Sequence, residues 1–377
     1  MNDRIRDYLR TRREDGPILV VDKEIVRDNY LTFAKALPDT RVFYAVKANP
    51  DPSLLEMLTQ LGSCFDCASI GEIEMVLAAG ATADRISYGN TIKKERDIER
   101  AYEKGIRLFA VDCEAEVEKI ARAAPGSKVF CRILCDGKDA EWPLSRKFGC
   151  EVELAPRVLE HAHRLGLKAY GVSFHVGSQQ RNPQVWDGAL KSSAWIFREM
   201  AERGINLSMV NLGGGFPTKY LKEIPGVESY GSAIFRSLRK HFGNHIPETI
   251  IEPGRGMVGN AGIIEAEVVL ISKKSDKPED PRWVYLDIGK FHGLAETMDE
   301  AIRYPIRTRH DGAEKVPCVL AGPTCDSVDV MYEKEPYMLP FSLEIGDKVL
   351  IEGTGAYTTT YSSRDFNGMP GLRQVVI

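Results

Sequence analysis

RVFYAVK (41–47) is a short apolar run that ends on a lysine. Seven further runs of the same kind follow: CFDCAS (64–69), RISYGN (85–90), RLFAVD (107–112), KVFCRIL (128–134), YGVSFHVG (170–177), SMVNLGGG (208–215) and TIIEP (249–253). Rich in Val, Ile, Phe and Tyr and bounded by turn-forming residues, they read as buried β-strands. The intervening segments, such as SLLEMLTQL, EIEMVLAAG and AEVEKIARAA, carry apolar residues near a 3.6 period and begin beside Asp, Ser or Glu, as amphipathic helices do. Eight strands alternating with helices predict a (β/α)8 barrel ending near residue 261.

In such a barrel the working residues stand at the C-terminal ends of the strands. Those positions hold Lys47, Asp66, Asn90, Asp112, Arg132, His175, Gly213, Gly214, Gly215, and Glu252 with Arg255. Every strand end delivers a polar group or glycine, which points to one shared site. Beyond residue 261 the pattern changes to strand-like runs separated by turns: IIEAEVVLIS, WVYLDIG, VPCVLAG and KVLIEGTGAY. A β domain over 262–377 is expected, with KKSDKPEDPR (273–282) as an exposed hairpin loop.

A chain of 377 residues exceeds the roughly 250 residues at which a single core stops growing, so two domains are expected. A hydrophobic fraction of 43%, a charged fraction of 28% and a net charge of −4 give no electrostatic reason to expect nucleic acid or an anionic membrane as partner. The first residues, MNDRIRDYLRTRRED, lack the apolar core of a signal peptide, and no stretch approaches the roughly 20 apolar residues of a membrane span. A cytoplasmic protein acting on small molecules is the expectation. Its eight cysteines then read as reduced thiols.

A lysine ending a buried strand must be paired or used covalently, because desolvation disfavours its charge. Read alone, Lys47 fits a salt-bridged barrel lysine as well as it fits a Schiff-base lysine. The glycines of NLGGGFP (211–217) and the arginine of EPGR (252–255) follow the seventh and eighth strands, where such barrels often bind phosphate. Glycines let backbone N–H groups approach an anion, and Arg255 adds a bidentate donor. Glu252, three residues before Arg255, could keep a pyridine nitrogen protonated, or could be half of a structural ion pair. His175 of FHVGS could stack on a ring, with Ser178 near the phosphate; a hydrogen-bonded core histidine is the bland alternative. In GPTCDSVD (322–329), Cys325 beside Asp326 fits proton delivery and cation binding, and equally a buried cysteine beside a surface aspartate.

No metal site is expected. Cys64 and Cys67 have CxxC spacing, but residues three apart on a strand face opposite sides. His241 and His245 lie four apart in a helical segment with no third ligand in view, so all four are read as structural.

Taken together, FYAVKAN, FDCAS, FHVGSQ, GGGFP, EPGR, GPTCDSVD and GAYT occur in the order found in fold-type III pyridoxal-phosphate decarboxylases. The chain most resembles the bacterial ornithine/lysine decarboxylases, from about Ile18 to the C-terminus. That resemblance implies an alanine-racemase-like barrel over 23–261 and a C-terminal β domain over 262–377 that residues 1–22 join. It implies pyridoxal 5'-phosphate as cofactor and a homodimer in which Cys325 and Asp326 reach into the partner's barrel. Matched by motif, Lys47 would bind the cofactor covalently, Glu252 would hold the pyridinium, and His175 would stack on the ring. Ser178, Gly213 to Gly215, Gly254, Arg255 and Tyr357 would bind the phosphate, while Asp66, Glu72 and Arg132 would form the supporting polar shell. Cys325 would protonate the α-carbon after carboxylate loss.

The same resemblance makes ornithine and lysine the expected substrates, with putrescine and cadaverine as products. Asp326 is one carboxylate for the distal ammonium. Glu300, in KFHGLAETMDEAIRYP (290–305), aligns where many eukaryotic ornithine decarboxylases carry aspartate, which leaves the choice between the two open. Diaminopimelate decarboxylase is the nearest rival, although it usually has Cys-Glu where this chain has Cys325-Asp326. Arginine and carboxynorspermidine decarboxylases share the fold. Alanine racemase is disfavoured, because it places arginine where this chain has Glu252. An antizyme-inhibitor-like regulator is the non-enzymatic alternative, against which Lys47, Glu252, Arg255 and Cys325 stand together.

Overall fold

The computed structural model describes residues 3–135, 140–142 and 147–377. It contains two compact units, Arg27–Pro217 with Ile224–Met257, and Met1–Val26 with Thr218–Glu223 and Val258–Ile377.

The first unit is a closed barrel of eight parallel strands: Thr40–Ala45, Cys64–Cys67, Ile86–Tyr88, Leu108–Val111, Lys128–Arg132, Lys168–Ser173, Met209–Asn211 and Glu248–Ile251. Helices such as Pro52–Gln60, Ile70–Ala78 and Glu95–Glu103 connect them. Local sequence starts these helices. Asp51 caps the first through Ser53 N at 2.9 Å with Pro52 behind it, and Ser69 caps the second through Glu72 N at 3.2 Å.

Inside the barrel, Phe43, Cys64, Ala110, Phe130, Met209 and Ile250 form one apolar layer. Because alternate strand residues share a face, the next inward positions are Ala45, Asp66, Asp112, Arg132, Asn211 and Glu252. The polar floor of the site is therefore the residue set one pleat above an apolar plug. Cys64 belongs to that plug and Cys67 faces the other way. Among the described residues no three His, Cys, Asp or Glu side chains gather as a metal-ligand set.

Strand ends differ from the sequence expectation in three places. Lys47 lies in a single 3-10 turn, Val46–Ala48, just beyond its strand. The seventh strand stops at Asn211 because Gly213 and Gly215 take φ of +67° and +101°, outside strand geometry. The sixth stops at Ser173, and Ser178–Gln180 forms a separate ribbon with Ala140–Trp142.

The second unit is a nine-stranded mixed sheet. Its long strand Gly262–Ser272 pairs antiparallel with Ile18–Val21, Arg282–Leu286 and Lys348–Glu352. The turn-rich residues after Ser272 make the hairpin connection to Arg282, as their composition predicts. Ile18–Val21 also pairs in parallel with Arg373–Val376, and Ile5, Ile18, Val20 and Ile263 share a core beneath them. Among the described residues no helix is long and apolar enough to cross a membrane.

Candidate active site

At the C-terminal end of the barrel, Lys47 Nζ lies 3.3 Å from Asp66 Oδ2, with the lysine side chain half exposed and the aspartate buried. Ser87 Oγ sits 3.4 Å from Asp66 Oδ1. Gly89 leaves room for that carboxylate, since a Cβ there would stand 1.8 Å from Oδ1. Glu72 accepts the N–H of Ala68 at 2.6 Å, which ties the second helix to the loop beside Asp66. Burial raises the Glu72 carboxyl above its usual range.

Glu252 stands partly buried just beyond the eighth strand, and desolvation, then the Asp66 charge, push its carboxyl up to about 7 against the pull of Lys47. Asn211 donates to Glu252 Oε1 at 2.5 Å and accepts the Gly213 N–H at 2.9 Å through Oδ1. A backbone N–H can only donate, so this second bond fixes which end of the amide meets the carboxylate. Asn211 thus couples the glycine loop to Glu252.

His175 is held by Gly177 N, which donates to Nδ1 at 3.0 Å. Burial, then Arg132 and Lys47, lower its pKa to about 3, so the ring is neutral and its proton sits on Nε2. That nitrogen is 3.3 Å from where a Cβ on Gly214 would be. A Cβ on Gly213 would meet Phe174 O at 2.0 Å, and one on Gly215 would meet Gly177 O at 2.5 Å. Only glycines let the loop lie this close against the strand end, where backbone N–H groups beyond that of Gly213, already given to Asn211, can face a ligand. Arg255, buried, donates from Nη2 to Ser178 Oγ at 3.1 Å beside this loop.

Residues 23–259 match the family described as pyridoxal-dependent decarboxylase, pyridoxal binding domain. The chain belongs to that family. A lysine/ornithine decarboxylase of Selenomonas ruminantium is 36% identical over 359 residues, covering 95% of this chain and 88% of that protein. The crystal structure of lysine/ornithine decarboxylase complexed with cadaverine from Vibrio vulnificus overlays with a TM-score of 0.87 at 32% identity, covering 99% of this chain and 97% of that one. Paramecium bursaria Chlorella virus arginine decarboxylase overlays with a TM-score of 0.88 at 29% identity, covering 100% of both chains.

The cofactor of this family is pyridoxal phosphate, and the residues present fit it. The glycine loop with Ser178 and Arg255 offers donors to a phosphate. Glu252, costly as a buried anion, is what a protonated pyridine nitrogen would pair with. Lys47 supplies an amine at the same barrel end.

In the sheet unit, Cys325 and Asp326 lie on the loop between Lys315–Ala321 and Val330–Met331. Asp326 Oδ1 accepts Val328 N at 2.9 Å, an ordinary turn that leaves its other oxygen open. Buried Asp329 anchors the loop: it accepts Lys290 N at 2.8 Å and Thr324 Oγ1 at 2.7 Å, and Gly289 and Gly322 exist where a Cβ would strike its carboxylate. Tyr357 has φ +57° and its ring centroid lies 5.9 Å from that of Tyr361.

Glu300 has a task that the sequence reading did not foresee. It accepts Arg303 Nη1 at 2.8 Å, Lys334 N at 2.6 Å and Glu335 N at 3.2 Å, so most of its lone pairs tie its own loop to the turn at 334–335. Asn211, Ser87, Gly89 and Asp329 are further residues missing from the sequence reading. For Asn211 the signal was present, since it is two residues beyond Met209 on the inward face.

Proposed function

We propose that the protein decarboxylates L-ornithine, L-lysine or both, releasing putrescine or cadaverine. The observation that carries this reading is the convergence of Lys47, Asp66 and Glu252 at one end of the barrel beside the Gly213–Gly215 loop and Arg255. The names of the lysine/ornithine relatives support the substrate class.

When bound, pyridoxal phosphate supplies an aldehyde for an amine and a ring that accepts the electron pair left by a departing carboxylate. Lys47 is assigned as the residue that attaches it, with Asp66 holding the ammonium before attachment and Arg132 adding positive charge nearby. Glu252 would keep the ring nitrogen protonated, and neutral His175 would face the ring. Ser178, Gly213, Gly214, Gly215, Gly254, Arg255 and Tyr357 bind the phosphate.

Cys325 gives its proton to the α-carbon, which separates clean decarboxylation from deamination of the product. Asp326 pairs with the distal ammonium, whose burial without an anion would be costly. Glu300 acts on the substrate through the loop it fixes. In this reading two copies of the chain associate, and Cys325 and Asp326 of each serve the barrel of the other.

The test is to incubate purified protein and pyridoxal phosphate separately with ornithine, lysine, arginine and meso-diaminopimelate, measuring carbon dioxide and identifying each amine. Putrescine or cadaverine is the expected result. Agmatine alone would move the assignment to arginine, and lysine formed from diaminopimelate would move it to amino-acid biosynthesis.

A further inference from the structure

We infer that Asn367 is the positioning residue of the Cys325 thiol, gripping the cysteine by its backbone and its sulfur at once. This rests on the reading of Cys325 as proton donor. The Cys325 N–H donates to Asn367 Oδ1 at 3.0 Å, and Asn367 Nδ2 lies 3.2 Å from Cys325 Sγ. Because a backbone N–H can only donate, the atom facing it must be the amide oxygen. The atom facing the sulfur is then the amide NH2, a donor.

A donor at the sulfur has two effects. The S–H proton must point away from the amide, toward whatever lies on the open side of the loop. Once that proton has moved to carbon, its bonding electron pair stays on sulfur, and the resulting thiolate receives a charge-assisted hydrogen bond until water reprotonates it.

The turn that carries Asn367 is built to hold it there. Asp365 and Asn367 take φ of +65° and +54°, a left-handed conformation that Asp and Asn adopt more readily than most residues. The turn closes through Asp365 N to Met369 O at 2.8 Å and Gly368 N to Asp365 O at 2.9 Å. Phe366 packs its ring 5.2 Å from that of Phe291, in the segment whose Lys290 N–H is held by Asp329. Cys325 is thus braced from two sides, by Asp329 below its loop and by Asn367 at its side chain. Cys325 and Asn367 are both exposed in the single chain, so packing does not account for their pairing.

Asn367→Gly removes the amide yet keeps the left-handed backbone, and Asn367→Asp keeps the acceptor but turns an anion toward the sulfur. In the full-length protein, alkylation of Cys325 by iodoacetamide at one fixed pH, followed by peptide mass, should slow about tenfold in Asn367→Gly and at least as much in Asn367→Asp. With substrate, the share of turnovers ending in aldehyde rather than amine should rise in both variants and in Cys325→Ala. An unchanged alkylation rate or aldehyde share in Asn367→Gly overturns the inference while leaving the cysteine's role intact. An unchanged aldehyde share in Cys325→Ala overturns that role, and the inference with it.

Discussion

Lys47 and Asp66 form the ion pair at the mouth of the barrel, 3.3 Å apart, and the aspartate keeps its place because residue 89 has no side chain. Gly89→Ala should therefore act like a mutation of Asp66. The new methyl displaces the carboxylate from the lysine, and cofactor affinity falls about tenfold, the size of one lost bond to a charged group. Titration of cofactor absorbance measures it. The double variant Gly89→Ala/Asp66→Ala should lose no more than Asp66→Ala alone, because both changes remove one interaction.

Glu252 and His175 pull the pH dependence of the cofactor-free protein in opposite directions. Glu252 ionises near 7 when folded against an ordinary 4.5, so between those values the folded state holds a proton that the unfolded chain has released. Stability contributed at Glu252 falls as pH rises through that window. His175 ionises near 3 when folded against an ordinary 6.5, so the unfolded chain holds the extra proton and stability rises with pH. Each slope has a limiting size of about 1.4 kcal/mol per pH unit. Relative to wild type, Glu252→Gln should gain stability and His175→Asn should lose it as pH rises from about 5 to 6.5. Urea midpoints across that range check both signs.

Asp326 and Glu300 should separate by which kinetic constant they move. Asp326→Asn removes the charge assigned to the substrate ammonium, and KM for ornithine and lysine should rise about tenfold or more. Glu300→Ala frees the N–H groups of Lys334 and Glu335, so it should lower kcat/KM for both substrates by one common factor. A changed ornithine-to-lysine ratio in Glu300→Ala would mean direct contact with the substrate chain.

Deep in the barrel wall, Glu116 pairs with Lys93 at 3.0 Å and with Lys119 at 2.5 Å. Lys93 is fully buried, and desolvation lowers its pKa to about 8. It also donates to Asn90 O and Ala110 O, both at 2.7 Å, which pins the loop after the third strand. Glu116→Ala leaves that ammonium without its anion and should cost about 3–5 kcal/mol of stability. Denaturant unfolding of the purified variant measures the loss.

Most of the barrel was legible because buried parallel strands write themselves as apolar runs, and a polar residue ending such a run has few reasons to be there. Lys47, Asp66, Arg132 and Glu252 were found that way. Asn211 hid inside a motif read for its glycines, and Gly89 and Ser87 matter only through a neighbour from another strand. Pairings between distant turns leave no local pattern at all. Asn367 with Cys325, and Glu300 with the N–H groups of residues 334 and 335, depend on where loops meet in space. The φ values at Asp365 and Asn367 belong to residue types that tolerate them, which is permission rather than a signal.

The strand Ile18–Val21 lies between Gly262–Ser272 on one side and Arg373–Val376 on the other. During synthesis it therefore leaves the ribosome hundreds of residues before either neighbour, as four consecutive apolar residues with both edges bare. The barrel segment can close while this strand waits, and its second edge is covered only once Arg373–Val376 has emerged. Such an early, open strand is a target for holding chaperones and for pairing with another nascent chain.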